Sequence, residues 1–377
     1  MKIYYWSPFT SKVATIKAVI NSAYGLKKLY NHETLLLNSF GEWDNYRKIL
    51  TKYKINTIHN KFKLKKTNFN GFLRSRLAYI IIFLRSFFFL NKILKEKKPD
   101  YLIIHLITSL PIILFLIFNY KTKLVLRISG LPKLNFARKI LWKIAKKKIS
   151  FVTVPTKHTK KNLEAKKIFP NKNIYFLPDP ILLDINNVKY KKNNYGKYIL
   201  NIGRLTKQKN QELLIKSFKQ INLNHKNLKL LILGEGENLL HLKNLVQELK
   251  LEAKVIFLGH IKDPRNLIKN SLCIIVSSLW EDPGFVMIEG AANKKIIISS
   301  DCPNGPREFF NNGKNGFLFK NNNSKSLIHT FEKFSKTNSK ALQKKIMKSY
   351  NNSKKYSYAH HSKILNYLLI KNEKNQN

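Results

Sequence analysis

Acid is scarce in this sequence: 21 Asp and Glu stand against 70 Lys and Arg in 377 residues, a formal charge of +49. Such an excess points first to nucleic acid or an anionic membrane surface. The lysines, however, are scattered among Asn and Ile along the whole chain, and Arg is not gathered with aromatics into one stripe. No base-stacking motif or recognition-helix pattern is present either, so nucleic acid is not expected as a partner. Cysteine is nearly missing as well. Cys273 and Cys302 offer neither a disulfide framework nor a metal-ligand pattern, which fits a reducing cytoplasm. No apolar run reaches the roughly 20 residues of a membrane span. The most apolar one, LAYIIIFLRSFFFL from Leu77 to Leu90, contains Arg85 and is flanked by LRSR and NKILKEKK, as a helix packed on a core or laid on a membrane surface would be. The opening MKIYYWSPF lacks the charged start, apolar centre and cleavage site of a secretion signal and reads as a strand entering a turn. A cytoplasmic protein is therefore expected, with a peripheral place on the inner membrane face left open.

What is present is a regular alternation. Apolar runs (KIYYWS, TLLLNS, YLIIHL, KLVLRIS, FVTVPT and IYFLPD in the first half; YILNIG, LKLLILG, KVIFLGH, CIIVSS, KIIISSD and GFLF in the second) alternate with helix-length segments. Unbroken apolar runs mean strands buried on both faces, and intervening helices mean parallel crossovers. The length exceeds what one core usually holds, so two doubly wound α/β domains are expected. Periodicity lapses between Asp179 and Tyr198, the best linker, which divides the chain into residues 1–185 and 196–345. Residues 346–377 form a Lys-rich helical tail ending in the apolar ILNYLLI, from Ile364 to Ile370, which must pack somewhere.

In open α/β sheets, ligands bind beyond the carboxyl ends of the strands. After YILNI come Gly203, Arg204 and Lys209 and then a helix opening near Asn210, an arrangement suited to an anion. Gly234, after LKLLIL, lets backbone approach a ligand, and Gly259 and His260 end a third strand, with a plain surface residue as the alternative for His260. WEDPGFVMIEG, from Trp280 to Gly290, spends Glu281, Asp282 and Glu289 of the scarce acid around a Pro-Gly turn. A carboxylate in such a helix can accept two hydroxyl hydrogen bonds, as the acidic residue of a dinucleotide fold does from ribose; alternatively the two glutamates only compensate the helix dipole. Asn304, Gly305, Pro306, Glu308, Gly313 and Gly316 crowd the turns that follow.

From Tyr198 to Phe319 this set resembles the family 4 glycosyltransferases of the GT-B fold. Their donor domain carries, in the same order, a GR....K loop, a Glu-x7-Glu signature and an S…GG..E…G.NG segment. The resemblance implies two Rossmann-like parallel-sheet domains facing a cleft, with the last helix crossing back to the first domain. It implies that Arg204 and Lys209 hold the donor diphosphate, that Glu289 binds the ribose, and that Glu281 binds the donor sugar. The backbone amides of Gly284, Phe285 and Val286 would cap the phosphates. Gly203, Gly234, Gly259 and His260, taken from their place at the strand ends, are the further nucleotide-site candidates. It further implies retention of anomeric configuration, and no metal or other cofactor; no Asp-x-Asp site is evident. Two stretches depart from the pattern: Asp282-Pro283 stands where Gly-Phe is usual, and Lys294-Lys295-Ile296 where Gly-x-Pro is usual. The first half is only weakly similar, with Ser11 and Lys12 in place of a Gly-Gly loop. Arg127, Ile128 and Ser129 fall near the place of the family's sugar-contacting histidine. His105, the nearest histidine, is the candidate for that catalytic role, with structural capping as its alternative.

The expected activity is retaining transfer of a sugar from a nucleotide sugar, such as a UDP-sugar, to a glycan or lipid-linked acceptor. Surface polysaccharide or lipopolysaccharide synthesis is the expected setting. The rivals are a sugar-nucleotide epimerase or hydrolase of the same fold and, from another class, a basic nucleic-acid-binding protein.

Overall fold

The structure, a computed structural model, describes residues 1–9, 15–61, 72–132, 134–182 and 194–374, and their side chains except at 72–79. It divides into two units, Met1–Leu183 together with Ser357–Asn377, and Asp184–Tyr356.

The first unit is built on seven parallel strands, β1 (Lys2–Trp6), β2 (Glu33–Asn38), β3 (Asn56–His59), β4 (Tyr101–Ile104), β5 (Lys123–Arg127), β6 (Ile149–Val154) and β7 (Ile174–Phe176), in the order β3-β2-β1-β4-β5-β6-β7. Its helices are α1 (Thr15–Tyr30), α2 (Arg47–Lys52), α3 (Phe72–Glu96), α4 (Ser109–Ile117), α5 (Phe136–Ala145) and α6 (Lys157–Ala165). Alternation along β1 feeds two cores. Tyr4 and Trp6 pack with Leu90 of α3, Leu110 of α4 and Trp142 of α5, while Ile3 and Tyr5 pack with Val19 and Leu26 of α1. A strand buried on both faces must be apolar at every position, which is why these runs do not alternate. The strand that sequence reasoning missed is β3, whose NTIH is only half buried at the sheet edge and carries no apolar run. The apolar segment from Leu77 to Leu90 lies within α3, and Ile82 and Leu90 are buried.

The second unit has six parallel strands, β8 (Tyr198–Ile202), β9 (Lys229–Leu233), β10 (Val255–Gly259), β11 (Cys273–Val276), β12 (Ile297–Ser300) and β13 (Phe317–Phe319), in the order β10-β9-β8-β11-β12-β13. Between them run α7 (Gln211–Asn224), α8 (Leu239–Glu248), α9 (Arg265–Asn270), α10 (Phe285–Ala292) and α11 (Pro306–Phe309), followed by α12 (Ser324–Ser335) and α13 (Ser339–Ser353). Strand order reverses between β8 and β11, the switch point beside which open α/β sheets bind ligands.

The tail does not begin at residue 346. Helix α13 stays with the second unit, packed on α10 and tied by Asn352 Nδ2 donating to Phe309 O at 2.8 Å. The chain then returns as α14 (Tyr358–Lys374), which lies along α1. Its Leu365, Leu368 and Leu369 join Ile3, Tyr5 and Val19 in the first unit's core, and Tyr101 Oη donates to Leu369 O at 2.8 Å. Close packing of the two helices depends on Gly25: a Cβ there would stand 2.2 Å from Ser362 Oγ. The apolar ILNYLLI thus finds its partner in the sheet where the chain began.

Candidate functional site

Every donor-site residue expected from the sequence falls at the carboxyl edge of the second sheet or in the turns of helix leaving it. Three strand ends are tied past the regular ladder: Gly203 N donates to Leu233 O at 2.9 Å, and Gly234 N to Gly259 O at 2.8 Å. This brings Gly203, Gly234 and Gly259 into one row. Gly234, at φ +140°, admits no side chain, because a Cβ would stand 1.8 Å from Gly203 O. A bare backbone floor results. His260 continues it, exposed to solvent.

Beside this floor the loop after β8 lifts Arg204 into solvent and turns Lys209 inward. Gln211 Nε2 donates to Arg204 O at 3.1 Å, and Ser277 Oγ donates to Lys209 O at 2.8 Å, fixing the loop to β11. Lys209 Nζ donates to Glu281 Oε1 at 2.6 Å, an ion pair between residues 72 apart in sequence. Ser278 Oγ donates to the same oxygen at 2.6 Å. Glu281 is only 6% exposed, so the pair stabilises a carboxylate that burial alone would disfavour. Sequence reasoning missed Ser277 and Ser278; their signal was the serine pair ending the apolar run CIIVSS, the first hydroxyls after a buried strand.

The turn after Glu281 leads to Gly284, the N-cap of α10, at φ +97°. The amides at the start of a helix have no intrahelical partner, so those of Gly284, Phe285 and Val286 can be offered to an anion where the dipole also favours negative charge. Glu289 lies one turn further on and is half buried. Since α10 has no acid in its first turn, and dipole effects fade beyond that turn, dipole compensation does not account for it. Nor does it account for Glu281, whose carboxylate is engaged by Lys209 and Ser278. Both departures from the family pattern have local solutions. Asp282 and Pro283 still make the turn, and Lys294 takes up a left-handed conformation at φ +54° just past α10. Lys295 donates to Lys269 O and Ser271 O at 2.9 and 2.6 Å. Among the described residues, no group of three or more His, Cys, Asp or Glu could hold a metal ion.

His105 requires correction. It follows β4 in the first unit, but its ring is 3% exposed, turned inward, and neither ring nitrogen has a hydrogen-bond partner. It neither reaches solvent, as a substrate contact must, nor caps a strand end through its ring. It borders a small cavity of about 10 Å³, room for about one water, shared with Ser22, Arg127, Asp179 and His361. Arg127 is consumed there by a buried ion pair with Asp179 and by Leu177 O at 2.8 Å, so it does not stand in for a sugar-contacting side chain. Ser11 and Lys12 lie outside the described residues.

The cavity has a pH consequence. Burial, with the charge of Arg127, holds His105 well below the ordinary imidazole value and His361 near about 3. Both are neutral in the folded chain and titrate near 6.5 when it unfolds. Below that value the unfolded state binds more protons, so each costs stability as pH falls, by up to about 1.4 kcal/mol per pH unit. Glu42, pushed up to about 7 by burial, acts oppositely between about 4.5 and 7. The histidine contribution is therefore read as a difference: His361→Gln should lose stability less steeply than the parent between pH 6.5 and 5, measured by denaturant unfolding. Parallel pH profiles would contradict a neutral, buried His361.

Comparison with known proteins comes to the same unit. Residues 184–358 match the family described as Glycosyl transferases group 1. An uncharacterized glycosyltransferase of Methanocaldococcus jannaschii is 34% identical over 264 residues, 64% of this chain and 65% of that protein. An N-acetylgalactosamine-N,N'-diacetylbacillosaminyl-diphospho-undecaprenol 4-alpha-N-acetylgalactosaminyltransferase of Campylobacter jejuni is 35% identical over 132 residues, 35% of each chain. The chain thus spans about two thirds of the length of the first relative and about one third of the second. Among solved structures, Anabaena HepE in complex with UDP superposes with a TM-score of 0.76 at 16% identity, covering 98% of this chain and 100% of that one. TarM superposes with 0.77 at 16% identity, covering 98% and 99%. The fold is accordingly GT-B, and residues 184–358 are similar to the family described as Glycosyl transferases group 1.

Proposed function

We propose that the protein is a retaining glycosyltransferase that moves a sugar from a nucleoside diphosphate sugar, with UDP as the first candidate nucleotide, to a glycan or lipid-linked acceptor in the synthesis of a surface polysaccharide or lipopolysaccharide. The observation that carries this reading is the Lys209–Glu281 pair at 2.6 Å, set beside an exposed Arg204 and the start of α10. Fixed positive charge and unpaired amides gather where a diphosphate would build up charge, and a carboxylate lies next to them where a sugar hydroxyl would bind. Relatives named for transfer of sugars to diphospho-undecaprenol and poly(ribitol-phosphate) carriers support the acceptor class.

In this reading the bond from the anomeric carbon to the phosphate oxygen breaks, and the nucleoside diphosphate leaves with the electron pair. The acceptor hydroxyl oxygen bonds to the same face of the carbon, and its proton passes to the departing phosphate. Arg204, Lys209 and the amides of Gly284, Phe285 and Val286 stabilise the leaving charge, work that a metal performs in other transferases. Glu289 holds the ribose and Glu281 the donor sugar. No divalent metal is needed.

Thermal unfolding with UDP-, GDP- and ADP-sugars in a chelating buffer tests this. A ligand at 100 times its dissociation constant should stabilise by about 2.7 kcal/mol, and UDP-sugars should give the largest shift. No shift with any of them, or a shift only after adding a divalent cation, would count against the proposal.

A further inference from the structure

A further concavity lies in the second unit, and Arg204, Lys209, Glu281, Gly284 and Glu289 are not among its walls. Its volume is about 330 Å³, at the small end of the range for small-molecule sites. The loop after β8 and the first turns of α7 form one side, the start of α8 another, and Leu279 after β11 and Asn322 after β13 the rest. Asn210 Nδ2 donates to Asn322 Oδ1 at 3.0 Å, which joins two of these walls and leaves Asn210 Oδ1 and Asn322 Nδ2 for a ligand. Asn238 is the N-cap residue of α8, yet its side chain makes no capping hydrogen bond, so its carboxamide is available as well. Leu213, Leu242 and Leu279 supply the apolar part of the lining.

What fits follows from what these walls refuse. Lys207 and Lys216 oppose a cation. Glu212, which accepts from Lys216 Nζ at 2.6 Å and lies 3.2 Å from His241 Nε2, opposes an anion. A wholly apolar ligand would take the carboxamides out of water without giving them partners. A neutral molecule with many hydroxyls, each both donor and acceptor, meets the carboxamides, and its C–H faces meet the leucines. We propose that this cavity is a carbohydrate-binding site, separate from the donor edge, that holds a sugar or a short stretch of a neutral glycan. It shares a loop with the diphosphate residues, because Gln211, whose Nε2 donates to Arg204 O at 3.1 Å, also lines it. A glycan held there stays beside the unit on which a donor sugar would lie. The sequence does not disclose this site, since Asn210 and Asn322 stand 112 residues apart and meet only through the fold. The inference does not rest on the transferase reading, because none of the residues assigned to the donor contributes to it.

Saturation-transfer difference NMR with maltotriose, cellotriose and chitotriose, on the whole protein with and without UDP, tests the proposal. At least one of the three should receive saturation from the parent, with an affinity unchanged by Arg204→Ala and by saturating UDP. Asn238→Ala/Asn322→Gly should weaken that binding about 10-fold or more, the loss expected for two ligand hydrogen bonds, and leave UDP affinity and melting temperature as in the parent. The fold tolerates both changes: the Asn238 side chain caps nothing, and Asn322, at φ +52°, holds a conformation that glycine adopts freely. Absence of saturation transfer to all three sugars would overturn the proposal. So would parent-like affinity in the double variant, which would put the sugar elsewhere on the chain, or displacement by UDP, which would put it at the donor edge. Displacement by millimolar inorganic phosphate would do the same, because the cavity would then be an anion site. Sugar binding that persists while UDP fails to bind would remove the transferase reading and leave this site standing.

Discussion

Arg204→Ala should lower the rate of sugar transfer by about 10²–10³-fold, the loss expected when one preorganised charge-stabilising group is removed, with the melting temperature unchanged. Arg204 is exposed, and the loop beneath it is held by its backbone carbonyl, so removing the guanidinium disturbs nothing else. Lys209→Ala should lose as much rate but also stability. It strands Glu281, 6% exposed, with only Ser278 to hold its charge. Breaking a buried pair from one side costs about 3–5 kcal/mol, and the 19% exposure of the lysine side chain points to the lower end. Made in a Glu281→Gln background, Lys209→Ala should cost far less stability. From sequence the two cations look interchangeable; the structure separates them. Equal melting temperatures for Arg204→Ala and Lys209→Ala would contradict the buried pair, and near-normal turnover in both would remove them from the site.

The second large effect divides the two glutamates. Glu289, assigned to the ribose, touches a part of the donor that does not react, so Glu289→Gln should weaken free nucleotide and donor sugar alike, raising KM more than it lowers kcat. Glu281, assigned to the sugar, acts where charge develops, so Glu281→Gln should lower kcat with free nucleotide affinity nearly unchanged. If the carboxylates served only the helix dipole, each change would cost a few tenths to about 1 kcal/mol of stability and leave the kinetics alone. Steady-state kinetics, nucleotide titration and melting curves on both variants distinguish these outcomes.

The sheets were legible in the sequence because their strands are buried on both faces, and unbroken apolar runs such as CIIV and YLII have no other use. β3 was not, since an edge strand half open to water needs no such run. The loops of the donor site could be read for a different reason: Gly234 is dictated by the approach of Gly203 O, and charge so scarce as Glu281 and Glu289 is conspicuous wherever it occurs. Partners were harder to read than positions. Nothing local indicates that Lys209 and Glu281 meet, or that Ser278 shares the carboxylate, because those contacts are made by the crossover that sets β8 beside β11. His105 was misplaced because a strand-end histidine reads the same whether its ring turns out to solvent or inward. Only the packing of α14, with His361, over that strand end shows which.

The most direct test of the central claim, that the strand ends of the second unit bind a nucleoside diphosphate, is calorimetric titration of UDP into the protein in a chelating buffer. The account predicts saturable binding at one site, weakened about tenfold or more by Arg204→Ala, by the loss of a charged hydrogen bond, weakened also by Glu289→Gln, and left nearly intact by Glu281→Gln. Absence of binding by UDP, GDP and ADP alike, or equal affinity in the parent and all three variants, would contradict it.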